Sequence, residues 1–115
     1  MRVLVCGHRY WSKARVIKER VARLPAGTTV IHGASRGADT IAGKVAAELG
    51  FAVEAFPAEW STQGKAAGPI RNRKMLDTSP DLVIAFHENL ERSKGTKDCV
   101  DEARRRGIEV EVIGK

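Results

Sequence analysis

The chain has 115 residues, 43% of them hydrophobic, and carries a formal charge of +6. That length supports one domain spanning 1–115 rather than two. No run of eighteen apolar residues occurs, so no helical membrane span is expected. The basic surplus favours anionic partners without naming nucleic acid.

The opening Met1-Arg2-Val3-Leu4-Val5-Cys6-Gly7 reads directly as a strand, without the apolar core of a secretory leader. Arg2 to Cys6 is the first predicted strand. Val16, Ile17, Val21 and Leu24 recur at the spacing of one helical face, which predicts a helix over Arg15 to Leu24 with Ser12 as its N-cap. Thr28 to Ile31 is a second strand, and Gly37 to Leu49 a small-residue helix ended by Gly50.

A third strand is expected over Phe51 to Phe56, followed by a loop from Trp60 to Gly68. Pro69 suits the first turn of a helix running to about Leu76. Asp81 to Phe86 is the most apolar strand. His87 to Lys94 is a loop, Thr96 to Arg106 a helix stopped by Gly107, and Ile108 to Ile113 the last strand. Cys6 and Cys99 form no C-x-x-C pair and are expected as reduced thiols, which together with the missing leader predicts a cytoplasmic protein.

This alternation predicts an α/β, Rossmann-like three-layer domain whose five-stranded parallel sheet has the order 3-2-1-4-5. In such sheets ligands bind beyond the carboxyl ends of the strands, where the strand order reverses. The loops expected there are Gly7 to Trp11, His32 to Gly37 and His87 to Thr96, all rich in Gly, Arg, Ser and His.

Gly7-His8-Arg9 permits close approach of a ligand to backbone, and Arg9 can pair with a phosphate; a plain tight turn is the alternative. The dinucleotide fingerprint G-x-G-x-x-G is absent. Gly33-Ala34-Ser35-Arg36-Gly37-Ala38-Asp39 opens a helix, whose free amides suit an anion, while Asp39 also reads as a capping residue. The same stretch matches the nucleophile-elbow pattern G-x-S-x-G, with Asp81 and His87 following in order. It is set aside, because that hydrolase fold needs a larger sheet.

His8, His32 and His87 each follow a strand and admit a zinc site, but hydrogen bonding to ligand or backbone is the expectation. No metal and no cofactor are therefore expected. In Gly68-Pro69-Ile70-Arg71-Asn72-Arg73 the two arginines cannot share a helical face, and Arg71 and Asn72 are the chosen pair. Ser93-Lys94-Gly95-Thr96 suits a phosphate or a plain N-cap. Trp11 and Trp60 are candidates for stacking on a base or for packing.

Together, Gly7-His8-Arg9-x-Trp11, His32-Gly33-x-x-x-Gly37-Ala38-Asp39, Ala67-Gly68-Pro69-x-Arg71-Asn72-x-x-Met75 and Ser93-x-Gly95-Thr96 resemble the YspA-type (cpYpsA-related) branch of the SLOG superfamily. That superfamily includes LOG phosphoribohydrolases and the DNA-processing protein DprA. The resemblance implies a nucleotide or nucleotide-derived phosphorylated ligand, bound by a sensor or nucleotide-processing protein. Gly33, Ser35, Gly37, Gly95 and Thr96 would hold phosphate, Arg9 and Arg71 would neutralise it, and Asp39 would hold a ribose hydroxyl or orient Arg71. Gly7, His8, Trp11, His32, Arg36, Gly68, Asn72 and Ser93 complete the candidate set.

A LOG-like N-glycosidase acting on nucleoside monophosphates would use Arg71, Asp39 and Asp98. This chain has Glu91-Arg92-Ser93-Lys94-Gly95-Thr96 where LOG enzymes carry Pro-Gly-Gly-x-Gly-Thr. A DprA-like single-strand DNA binder is the third reading. Relatives that pair through helices of this sheet imply a homodimer.

Overall fold

Successive side chains of a strand point to opposite faces of its sheet, so an apolar run with no polar alternation must be covered on both sides. A computed structural model describes residues 1–114 and shows that arrangement. Strands β1 (Arg2–Gly7), β2 (Thr29–His32), β3 (Ala52–Ala55), β4 (Leu82–Phe86) and β5 (Glu109–Ile113) form one sheet in the order β3-β2-β1-β4-β5. Every neighbouring pair is parallel. The chain therefore has the Rossmann-like α/β fold and strand order expected from its pattern.

The helices are α1 (Ala14–Val21), α2 (Ala38–Glu48), α3 (Trp60–Gln63), α4 (Ala67–Leu76) and α5 (Gly95–Arg105). Val3 and Val5 of β1 face one core with Ile17 and Val21 of α1 and Ala42 and Val45 of α2. Leu4 and Cys6, one position out of phase, face a second core with Met75 and Leu76 of α4 and Val100 of α5. Leu82, Ile84 and Phe86 of β4 belong to the first core, Val83 and Ala85 to the second. Each fully buried Val, Leu, Ile or Phe contributes about 1.5–3 kcal/mol of transfer free energy. These two cores therefore dominate the stability.

The first two crossovers, α1 and α2, cover one face, and the next two, α4 and α5, cover the other. The chain changes direction across the sheet between β1 and β4. In sheets of this kind ligands bind beyond the carboxyl ends of the strands at that point of reversal. Among the described residues, no helix is long and apolar enough to cross a membrane.

Three local expectations are corrected. Ser12 does not cap α1; Lys13 occupies that position and no side chain bonds the free amides there. The loop expected from Trp60 to Gly68 contains helix, because the Glu59 carbonyl accepts from the Thr62 and Gln63 amides and the Thr62 hydroxyl. A 3-10 turn at Gly64–Ala66 then leads into α4. The third strand is shorter than expected, and all four residues of β3 are exposed because it is the sheet edge.

Candidate functional site

The loop after β1 is anchored at both ends. The His8 amide donates to the Phe86 carbonyl at 2.8 Å, and the His8 carbonyl accepts from the Trp11 and Ala38 amides at 3.0 and 3.2 Å. The last of these bonds ties the loop to the start of α2. Between the anchors Arg9 and Tyr10 stand exposed. Trp11, expected at the ligand, is only 3% exposed: its ring lies 5.7 Å from that of Phe86, and its Nε1 donates to the Lys13 carbonyl. Trp11 is a core residue here.

The loop after β2 is held from within. The Asp39 carboxylate accepts from the Gly33 amide at 3.0 Å. His32 Nδ1 accepts from the Ala34 amide at 3.0 Å and so holds Ala34 at φ 60°, a left-handed conformation uncommon outside glycine. His32 is buried against Gly43 of α2, and burial lowers its pKa. It therefore serves as a neutral acceptor that shapes the loop. The amides of Arg36 and Gly37, which lead into α2, have no partner among the described residues. Free amides at a helix start attract anions through both hydrogen bonds and the helix dipole.

Asp39 is 4% exposed, and that burial raises its pKa to about 6, against the opposing pull of Arg71 and of the Gly33 and Ser35 amides. A carboxyl whose pKa is higher in the folded than in the unfolded chain binds protons preferentially when folded. Its contribution to stability thus falls as pH rises from about 4 through 6. A shift of this size corresponds to roughly 3 kcal/mol. We expect Asp39→Asn to abolish that part of the pH dependence while Asn Oδ1 keeps the Gly33 bond. Urea denaturation of both proteins between pH 4 and 7 checks it; parallel curves would show that Asp39 does not titrate in this window.

Arg71 reaches across from α4. Its Nη1 donates to the Gly33 carbonyl at 2.5 Å and its Nε to Asn72 Oδ1 at 2.9 Å. Neither acceptor is charged, and no carboxylate lies within ion-pair distance of this guanidinium among the described residues. Asn72 is 3% exposed and continues the bridge, its Nδ2 donating to the Gly95 carbonyl at 3.2 Å and to Asp98 at 3.1 Å. A continuous chain of bonds thus runs from Asp39 through Gly33, Arg71 and Asn72 to the start of α5. It holds one cation between two helix N-termini.

At that second terminus the Ser93 hydroxyl accepts from the Thr96 and Lys97 amides at 3.0 and 3.3 Å, the geometry of a side-chain cap. Thr96 is buried, while Gly95 is exposed and its amide has no partner among the described residues. Asp98 is committed elsewhere: it accepts from Asn72 and lies 3.6 Å from Arg73. Arg73 in turn faces Glu102, so the two arginines of α4 do diverge. Gly68 sits beneath the Trp60 ring.

His8 and His87 meet just past the carboxyl ends of β1 and β4, with ring centroids 4.6 Å apart. Burial and the neighbouring His8 lower the His87 pKa, and His87 Nδ1 accepts from the Asn89 amide. His32 lies apart, against α2, and no group of three metal-ligating side chains forms among the described residues. Charge is uneven. Arg2, Arg20, Arg106 and Lys97 are paired with carboxylates at 2.7–2.8 Å, whereas exposed Arg9, Arg36, Arg92 and Lys94 of the edge loops have none within ion-pair distance among the described residues.

Ser35, Gly37 and the bonded chain of Asp39, Gly33, Arg71, Asn72 and Gly95 thus lie on the edge where the sequence pattern puts them. Of the three histidines that the pattern lets converge, His8 and His87 meet and His32 does not. The role of Asn72 as a brace is not legible in the sequence. The only available signal for the brace was its position beside Arg71 in the first turns of a helix.

Comparison with known proteins gives the fold and site a family. The model described as YAcAr, the YspA, cpYpsA-related SLOG family, matches residues 1–62, and the chain belongs to that family. The match includes the loops after β1 and β2; Arg71, Asn72 and Gly95 lie outside it. The Gene 61 protein of Mycobacterium phage D29 is 40% identical over 118 residues, covering 95% of this chain and 93% of that protein. The X-ray structure of DNA processing protein A (DprA) from Streptococcus pneumoniae superposes with a TM-score of 0.82 over 96% of this chain, at 22% identity. This chain corresponds to 49% of that one, about half its length, and at this identity the likeness is one of fold.

Proposed function

We propose that the protein binds a nucleotide or nucleotide-derived phosphorylated ligand at the carboxyl edge of the sheet, as a sensor or nucleotide-processing protein. The observation that carries this reading is Arg71, a cation braced by neutral acceptors between the starts of α2 and α5. A guanidinium bonded only to neutral groups retains donors and charge for an incoming anion. The free amides of Arg36, Gly37 and Gly95 and the unpaired Arg9 and Arg36 supply further donors at the same edge.

Binding is supported over cleavage of a glycosidic bond. Such cleavage needs a carboxylate free to face the sugar. Asp98 is bonded to Asn72, and Asp39 is buried and accepts the Gly33 amide.

The test is a thermal-shift panel of nucleoside monophosphates, ADP-ribose, NAD and a short single-stranded oligonucleotide. A ligand present at a hundred times its Kd adds about 2.7 kcal/mol of stability, which reads as a clear rise in Tm. A rise with at least one mononucleotide-type ligand is expected, and a flat panel contradicts the proposal. One observation favours single-stranded DNA as a second reading. Tyr10, beside Arg9, and Trp60 are 68% and 56% exposed, and exposed aromatics suit base stacking along a strand. On that reading the oligonucleotide alone shifts Tm, and the shift collapses as salt is raised.

A further inference from the structure

Beside Arg71, on the side of the exposed strand β3, lies a cavity of about 180 Å³. Phe56 and Ile70, both half-buried, give it apolar walls, and Glu59, Gln63, Arg71 and Lys74 supply its polar groups. We propose that this cavity is a nucleobase pocket and that it selects guanine over adenine. The proposal rests on the nucleotide reading above, and it adds which nucleotide is bound and how the base is chosen.

The size suits one base, since an apolar cavity of about 150 Å³ accepts a benzene ring and this one is open enough for a fused second ring to extend outward. Arg71 lines the cavity and also bonds the Gly33 carbonyl, so the cavity and the loop after β2 share that residue. A base here and a phosphate at the loops would therefore belong to one ligand. A second phosphate is the competing occupant, given Arg71 and Lys74. The carboxylate of Glu59 argues against it, because a like charge on the wall of a small cavity opposes a second anion.

The polar groups also distinguish the bases. A carboxylate only accepts hydrogen bonds, and an ammonium only donates. Guanine presents N1–H and the N2 amino group side by side, with the O6 acceptor next to them. Glu59 can accept from both nitrogens while Lys74 donates to O6. Adenine presents an acceptor, N1, beside its N6 amino group, which would set a lone pair against the carboxylate. Glu59 is free for this role, since its side chain has no hydrogen-bond or ion-pair partner among the described residues and only its carbonyl is used, to start α3.

Calorimetric titration of GMP, AMP and ribose 5-phosphate into the native chain, Glu59→Gln and Arg71→Ala tests this. GMP is expected to bind the native chain roughly tenfold or more tightly than AMP, the scale of one good two-bond base contact. Glu59→Gln should bring the two nucleotides within about twofold of each other and leave ribose 5-phosphate, which reaches only the anion site, unchanged. Equal affinities in the native chain, or a preference that survives Glu59→Gln, would overturn the base pocket. If Arg71→Ala still weakens all three compounds in that case, the anion site stands without it. If none of the three binds the native chain, both readings fall together.

Discussion

Replacing Arg71 by alanine is expected to weaken binding of a nucleoside monophosphate between about tenfold and a hundredfold, with little change in fold. A hydrogen bond to a charged group is worth about 1.5–3 kcal/mol. The side chain is half-buried beside the starts of two helices, where a phosphate would be poorly screened. Arg15→Ala is the matched control. It removes the same formal charge from a residue whose side chain is 90% exposed on α1, and it should leave affinity unchanged.

Gly33→Ala is a second route to the same result. A Cβ at residue 33 would meet the Arg71 guanidinium and, at 2.9 Å, the Asp39 carboxylate. The arginine tip is flexible and would move aside, so this variant displaces the cation without deleting it. Isothermal titration of the three variants reads the effect. Unchanged affinity in both Arg71→Ala and Gly33→Ala would remove the guanidinium from the binding account.

The largest effect on stability is expected at Gly37. This residue leads into α2 at φ 74° and ψ −126°, a region that side chains other than glycine's rarely enter. A Cβ there would also strike the carbonyl of His8 and the backbone of Arg9. Backbone cannot swing away as a side-chain tip does, because the His8 carbonyl is tied to the Trp11 and Ala38 amides.

Gly37→Ala thus combines backbone strain with overpacking, together roughly 2–5 kcal/mol. For a domain of this size, that lowers Tm by about 10–20 °C. Differential scanning calorimetry measures it directly. A loss below about 1 kcal/mol would mean that the loops after β1 and β2 do not pack as described.

Much of this fold was legible because its central strands β1 and β4 are buried on both faces. Val3 to Cys6 and Leu82 to Phe86 are continuous apolar runs, and only a covered parallel sheet accommodates them. The helices declared themselves by spacing, and the strand order followed from the alternation. The edge of the sheet was legible for the same reason, since topology alone decides where strands end.

Side-chain roles within that edge were less legible, because they depend on contacts between residues far apart in sequence. Nothing local to Trp11 says that its ring turns toward Phe86, which is 75 positions away in the chain and 5.7 Å away in space. Asn72 reads as a ligand contact until α5 is placed beside it, and Asp98 as a free carboxylate until Asn72 reaches it. Ala34 gives no hint of positive φ, because the cause is the imidazole of His32 accepting its amide. The short α3 was missed because one carbonyl, that of Glu59, organises it without any apolar periodicity.

The central claim is that a phosphorylated nucleotide sits on the loops following β1, β2 and β4. Its most direct test is a titration of the 15N-labelled chain with GMP and with AMP, followed by amide chemical shifts. The account predicts saturable shifts concentrated at Gly33, Ser35, Arg36, Gly37 and Gly95 and at the Arg71 side chain, with β5 and the carboxyl end of α1 undisturbed. Shifts scattered over the surface, centred on another part of the molecule, or absent at millimolar nucleotide would contradict it.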